Sequence, residues 1–298
     1  MKINPILKKA EWFTKHVAEG DIKPYVFVRS DNKIQAPGSR HKLDWFSKDV
    51  LYLDPLDLVN INFAELIYHI EGKAFGPSDM AMPRWVFYDC GIIPGFVAGF
   101  AMREEKLPES LRKILPKEFP SPWVPLSLFI IIPTMAKGQW CAHNLCAVNS
   151  LLPLEDRFYG LGFLSKAFGL WYANVEQCLG FTQWGGPALK LHTHYGHMEI
   201  VTAYTPVHSH ARTLTYRVNV DAQCWERFFT REPDYVFLEK YQRTNLVIDP
   251  NDENTMLLIH NRLMNKEGPY FLSAADIQSK KINDTLEIYT TKNQGSFK

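Results

Sequence analysis

Two stretches of the chain set apolar residues at the spacing of a helix face. Phe63, Leu66, Ile67 and Ile70 do so within 62–75, where Asn62 is the expected cap. Leu161, Leu164, Phe168, Trp171, Val175 and Cys178 recur at steps of three and four, which predicts one long helix stopped by Gly180. Shorter helices are expected at 6–18, at 111–114 within the Lys-, Glu- and Pro-rich segment 104–122, and at 187–195, where Pro187 occupies the first turn.

Between these lie runs that read as strands. Residues 25–28 end at Ser30-Asp31-Asn32; 83–88 and 95–102 read as an antiparallel pair. Leu126 to Ile132 is an apolar run bounded by Pro125 and Pro133, and 140–149 follows a turn at Ala136-Lys137-Gly138. A short buried strand is expected at 181–184, another at 198–204, and a closing one at 213–220. Beyond Asp221 the pattern predicts helices at 225–231, 234–241 and 255–264, then a polar, frayed tail from Asn283. The sum is an α+β fold with a mixed, mostly antiparallel sheet flanked by helices. It divides into an N-terminal extension (1–52), a central domain (53–221) and a helical C-terminal extension (222–298).

Composition narrows the class without naming it. Hydrophobic residues at 46% and charged residues at 22% describe an ordinary globular chain. A formal net charge of +1 argues against a broad nucleic-acid footprint, which needs clustered Lys and Arg. The longest apolar run is too short to span a bilayer, so no membrane partner is expected. Cys90, Cys141, Cys146, Cys178 and Cys224 form neither a CxxC pair nor an even framework, and the first 20 residues lack the apolar core of a signal peptide. Reduced thiols and a cytoplasmic location are expected.

The stretch Arg157-Phe158-Tyr159-Gly160-Leu161-Gly162 carries the candidate chemistry. It stands between a strand candidate and the long helix, after the polar turn residues Pro153, Glu155 and Asp156. Glycine lets anionic oxygens approach the backbone, and a helix start supplies unpaired N–H groups and a positive dipole end. No Gly-Lys-Ser/Thr follows, which argues against a Walker-type loop with its lysine and magnesium ligand and favours a diphosphate held by amides without metal. The plainer reading is a strand-to-helix connection whose glycines only permit tight packing.

Residues 157–162 satisfy every fixed position of the acyl-CoA loop of the GNAT acyltransferase superfamily, Arg/Gln-x-x-Gly-x-Gly/Ala, which this chain therefore resembles. Downstream, Ala188, Leu191, His192 and Gly196 keep the register of that family's Ala-x-x-apolar-Tyr-x-x-x-Gly-Phe, with His192 for Tyr, His197 for Phe, and Gly185 where the family has Asn. The resemblance covers about 53–220. It implies acetyl-CoA or another acyl-CoA as co-substrate and the amine of a small molecule or peptide as acceptor, with a homodimer possible. It assigns Leu151 and Leu152 to the pantetheine arm, and the amides of Tyr159, Gly160, Leu161, Gly162, Phe163 and Leu164, beside Phe158 and Arg157, to the diphosphate. His192 stands where the family's tyrosine protonates the departing thiolate, Tyr195 is the substitute one turn on, and His143 is the candidate base. A hydrogen-bonded or surface histidine is the competing reading for each imidazole.

Two alternatives use the same residues. Gly186, His192, His194 and Glu199 match the first metal motif of the cupins, two histidines and a carboxylate suited to iron, manganese or zinc, although a long helix before them and the lack of a second motif speak against a barrel. The missing tyrosine also suits a GNAT-like scaffold that binds acyl-CoA without turnover.

Overall fold

The computed structural model describes residues 9–32, 49–92, 95–207, 210–221, 224–225 and 240–292. They form two compact units, one ending at Val175 and the other beginning at Glu176.

The first unit opens with helix α1 (Glu11–Ala18), strand β1 (Ile22–Phe27) and the short strand β2 (Leu51–Leu53). Helices α2 (Ile61–Phe75) and α3 (Arg84–Ile92) precede β3 (Phe96–Arg103). Helix α4 (Glu109–Ile114), strands β4 (Trp123–Pro125), β5 (Ser127–Pro133) and β6 (Gln139–Ala147), and helix α5 (Leu161–Tyr172) complete it. The strand order is β2-β1-β3-β5-β6, with β4 also on β3; β1 and β2 are parallel, and β1–β3, β3–β4, β3–β5 and β5–β6 antiparallel.

Strand β3 is buried from Phe96 to Met102, so both of its faces are covered. The covers follow from the pleat. Phe129 pairs with Leu145 and its ring lies against Gly169 of α5, where a Cβ would come within 2.4 Å of Cδ1. Cys146, one residue on, points to the opposite face, where its thiol is 4.0 Å from the Ile70 carbonyl of α2. Helices α2 and α5 therefore lie on opposite faces. Gly99 is fixed by a similar approach, because a Cβ there would stand 2.2 Å from the Ser127 carbonyl oxygen. A buried polar chain ties α5 to the sheet: the Ser165 hydroxyl is 2.6 Å from that of Ser127 and 2.7 Å from the Leu161 carbonyl, and Ser127 Oγ accepts the Phe100 N–H at 3.1 Å.

The second unit comprises β7 (Gln177–Gln183), α6 (Pro187–His192), β8 (Met198–Thr202), β9 (Thr213–Asn219), β10 (Tyr241–Ile248), α7 (Glu253–Met264), β11 (Tyr270–Leu272), α8 (Ala274–Ser279) and β12 (Leu286–Thr291). Its strands run β7-β9-β8-β11-β12-β10, each neighbour antiparallel. Among the described residues no helix is long and apolar enough to cross a membrane.

The α+β class with mostly antiparallel strands and flanking helices is the one expected. Several local expectations are corrected. Residues 84–92 are helix, not strand: Phe87, Cys90 and Gly91 are buried at helical spacing, while Trp85 and Tyr88, also three apart, are exposed on the other side. Helix α5 ends eight positions before Gly180. Asn174 adopts a left-handed φ of 49°, its N–H bonds Trp171 O at 3.1 Å, and Val175 N–H bonds Leu170 O at 3.1 Å, a Schellman ending with Asn in place of Gly. Val175 and Cys178 lie beyond it, and Gly180 sits inside β7. That strand buries alternate residues and exposes Phe181, so it is half-covered rather than enclosed. Asn62 lies inside α2 and donates to Pro120 O at 2.7 Å, the cap position being Asn60.

After Asp221 the expected helices give way in part to sheet: β10, β11 and β12 join the edge at β8, and β12 occupies the segment expected to fray. Strand β9 closes nothing, since β8 continues to β11. The helices expected at 225–231 and 234–241 fall largely outside the described residues, as does the part of the first helix before Lys9.

Candidate functional site

The candidate loop is built from the backbone outward. Phe158 to Leu161 is a turn closed by the Leu161 N–H on Phe158 O at 3.1 Å, with Gly160 at φ 76° and ψ 7°. Those angles are what a type II turn requires of its third residue, and only glycine adopts them without cost. Gly160 is also the residue capping α5, and its carbonyl receives the Leu164 N–H at 2.9 Å.

Asn149, in the single 3-10 turn at Val148–Ser150, holds this turn from behind. Its Oδ1 accepts the Phe158 N–H at 2.9 Å and its Nδ2 donates to Phe158 O at 2.7 Å. From α1, the Trp12 indole N–H donates to Tyr159 O at 2.8 Å. In a trans peptide the C=O and the following N–H point in opposite directions. Clamping Phe158 O therefore directs the Tyr159 N–H away from Asn149, and clamping Tyr159 O directs the Gly160 N–H away from Trp12. Neither amide, nor that of Gly162 in the first turn of α5, has a protein acceptor among the described residues. The amides of Leu161 and Leu164 are used inside the turn and helix, whereas those of Tyr159, Gly160 and Gly162 are the donors open to a ligand.

The remaining loop residues frame these donors. Phe158 is buried and makes an edge contact with Trp12, ring centroids 5.8 Å apart, while Tyr159 is exposed with Lys9 Nζ 5.6 Å above its ring. Arg157 is exposed and uses Nε on Leu152 O at 3.0 Å. Leu152 is buried and Leu151 half-buried, its N–H on Val148 O at 2.8 Å; both lie past the end of β6. Ser110 of α4 donates to Asp156 Oδ2 at 2.5 Å, tying the segment before the loop to the 104–122 region.

His143 occupies a β-bulge. Ile130 pairs with Asn144 and Ile131 with Ala142, so His143 is the extra residue on β6, a device that re-aims a side chain. Its ring is exposed, yet nearby protein removes part of its hydration and holds its pKa below the ordinary histidine value. Beside it, Asn144 Nδ2 donates to Glu71 Oε1 at 3.1 Å, and the fully buried Glu71 also accepts the Met82 N–H at 3.1 Å. Burial raises the Glu71 carboxyl despite both bonds. Burial, with the Glu71 charge adding to it, pushes the Cys146 thiol up to about 12.

His192 and Tyr195 belong to the second unit. His192 ends α6, buried, with its ring 5.2 Å from that of Tyr216, and Tyr195 is buried in the following 3-10 turn. The cupin alternative finds no support. Its His192 and His194 lie in the helix and turn, and Glu199 on β8 is engaged by Arg217 of β9, Nε to Oε2 at 2.9 Å, with a second contact to Oε1. Among the described residues the potential metal-ligand group is His16, Glu19 and Asp21, not these.

Sequence reading missed Asn149, Trp12 and Lys9. A polar residue closing an otherwise strand-like run was the available sign for Asn149; Trp12, 147 positions away, left none.

No family model matches the chain, and no curated protein matches it in sequence. Solved structures do. A nourseothricin acetyltransferase is 8% identical, over 43% of this chain and 66% of its own, at a TM-score of 0.29, so the chain covers just under two thirds of it. A NatC complex bound to Gag peptide and CoA matches at 12% identity over 56% of this chain and 96% of its own, TM-score 0.37. A protein from Desulfovibrio desulfuricans assigned to the GNAT family matches at 11% over 53% and 92%, TM-score 0.36. These likenesses are partial in extent and low in sequence identity.

Proposed function

We propose that this chain binds acyl-CoA through residues 157–162 and transfers the acyl group to an amine of a small molecule or peptide. One observation carries the reading: the Tyr159 and Gly160 amides at a helix start are turned away from Asn149 and Trp12, which hold the carbonyls of Phe158 and Tyr159 on the other side of the same peptides. A diphosphate fits such donors, and Arg157 adds charge beside them. Leu151 and Leu152 are proposed to adjoin the pantetheine arm. Bound acyl-CoA would supply an activated thioester; the chain's part is to align it, to accept the amine proton and to return a proton to the thiolate.

His143 is the proposed base. Its lowered pKa keeps the imidazole neutral at pH 7, so the acid limb of the rate should fall below the ordinary value of about 6.5. His143→Gln is expected to lower kcat by ~100-fold with KM nearly unchanged, and a kcat within twofold of the unaltered chain removes His143 from the reaction. His192 and Tyr195 are proposed proton donors to the thiolate, with Tyr195→Phe separating the two.

The decisive experiment is calorimetry with acetyl-CoA, followed by release of free CoA thiol with a panel of amines. No heat of binding removes the assignment. Binding without thiol release supports the second reading, a non-catalytic acyl-CoA binder, which the deep burial of His192 and Tyr195 favours.

A further inference from the structure

Helix α1 and Lys9 ahead of it lie before residues 53–220, the stretch whose sequence resembles the acyltransferase family, yet they reach the candidate loop at three points. The Trp12 indole N–H donates to Tyr159 O, the Trp12 ring meets Phe158 edge-on, and Lys9 Nζ stands over the Tyr159 ring. Trp12 is itself held, by edge contacts with Phe13 and Phe100, both at 5.6 Å between centroids. It is buried, so its N–H needs an acceptor, and the one it finds is the carbonyl whose peptide partner is the Gly160 N–H.

We infer that α1 and its leading residue are part of the anion site: Trp12 is a positioning residue that orients the Tyr159–Gly160 peptide, and Lys9 is a binding residue for ligand phosphate. This rests on residues 157–162 being a diphosphate loop. Were Trp12 unable to donate, the peptide could rotate and turn the Gly160 N–H away from the ligand, while the Asn149 clamp would still hold the Tyr159 N–H. Lys9 stands over the exposed Tyr159 and Arg157 lies two residues before it in the loop, so the loop carries positive charge from two chain segments. The chemical class recognised is a nucleoside diphosphate bearing an extended thiol arm, with the phosphates and not the arm read by Lys9.

The test uses the full chain and CoA, with pantetheine as the probe lacking phosphates. Trp12→Phe keeps the ring and removes the donor; it should weaken CoA ~5–10-fold, the scale of one lost hydrogen bond. Lys9→Ala should weaken CoA ~3–10-fold, flatten the salt dependence of binding and leave pantetheine unchanged, while Lys9→Arg restores affinity. A purely structural role for Trp12 would lower the thermal midpoint and weaken CoA and pantetheine equally. If the unaltered chain does not bind CoA, the loop reading fails and this inference with it. If it binds CoA and both Trp12→Phe and Lys9→Ala bind as tightly, the loop stands and the inference alone is overturned.

Discussion

Residues 158–161 and 184–187 start from the same local recipe and end in opposite states. Each follows a strand, contains a glycine with φ above 70° and leads into a helix. At Gly160 the turn is held by Asn149 and Trp12, and the Tyr159 and Gly160 amides, turned away from both, have no acceptor among the described residues at the start of a helix of 12 residues. At Gly185 the space is filled: a Cβ there would lie 2.2 Å from Asn283 Oδ1, and the Gly186 N–H is bonded to Gln183 O at 3.2 Å. Pro187 brings no N–H to the first position, the Leu189 N–H returns to Gly186 O at 3.2 Å, and α6 has only 6 residues. A glycine turn before a helix is therefore not a site by itself. What decides is whether protein stands in front of its donors or behind them.

The strongest way to break this contrast is Gly162→Val, which puts a branched side chain at the first turn of α5. CoA affinity should fall at least ~100-fold by calorimetry with the circular-dichroism spectrum kept, because the side chain blocks close approach to the backbone; unchanged affinity would make residues 157–162 an ordinary connection. Next comes the clamp. Asn149→Ala removes two hydrogen bonds and should cost ~10-fold or more in CoA affinity and about 2 kcal/mol in urea unfolding, whereas a loss of stability alone would show that the loop keeps its shape without it.

A paired substitution sharpens the comparison directly. Gly160→Ala and Gly185→Ala both force a side chain into left-handed backbone and should each cost about 1 kcal/mol or more. CoA affinity should drop for Gly160→Ala alone; an equal drop for both would mean that the two turns do not differ as described. The smallest effect concerns reagents. With Cys146 pushed up to about 12 and Cys90 to about 11 by burial, both thiols should resist iodoacetamide at pH 8 in the native chain, leaving the partly exposed Cys141 as the group modified first. Rapid labelling of Cys146 in peptide mapping would contradict the packing of α2 on β6.

Sequence alone made the loop legible because its signal is local: two glycines, one basic residue and the helix they open stand within a few positions of one another. The parts that give the loop its direction were not legible, since Asn149 acts by a side chain that doubles back and Trp12 arrives from a distant segment. Misreadings of the fold have the same origin. Cys178 falls in helical phase with α5 only by coincidence of spacing, while Asn174, a residue that tolerates left-handed backbone, is the actual stop. In 84–92 the run Trp85-Val86-Phe87-Tyr88 has the aromatic and β-branched composition of a strand, yet its burial repeats at helical spacing. After Asp221 the strands pair with partners far off in sequence, β10 with β12 and β11 with β8, so nothing nearby announced them.

The bond between Trp12 and Tyr159 joins positions 147 apart. Contacts of such long separation are slow to close, because the intervening polypeptide must lose its freedom first. On the proposed function, CoA binding by this turn should therefore emerge late in refolding, after the helical signal has recovered, and the interval between the two would time the arrival of the amino-terminal segment.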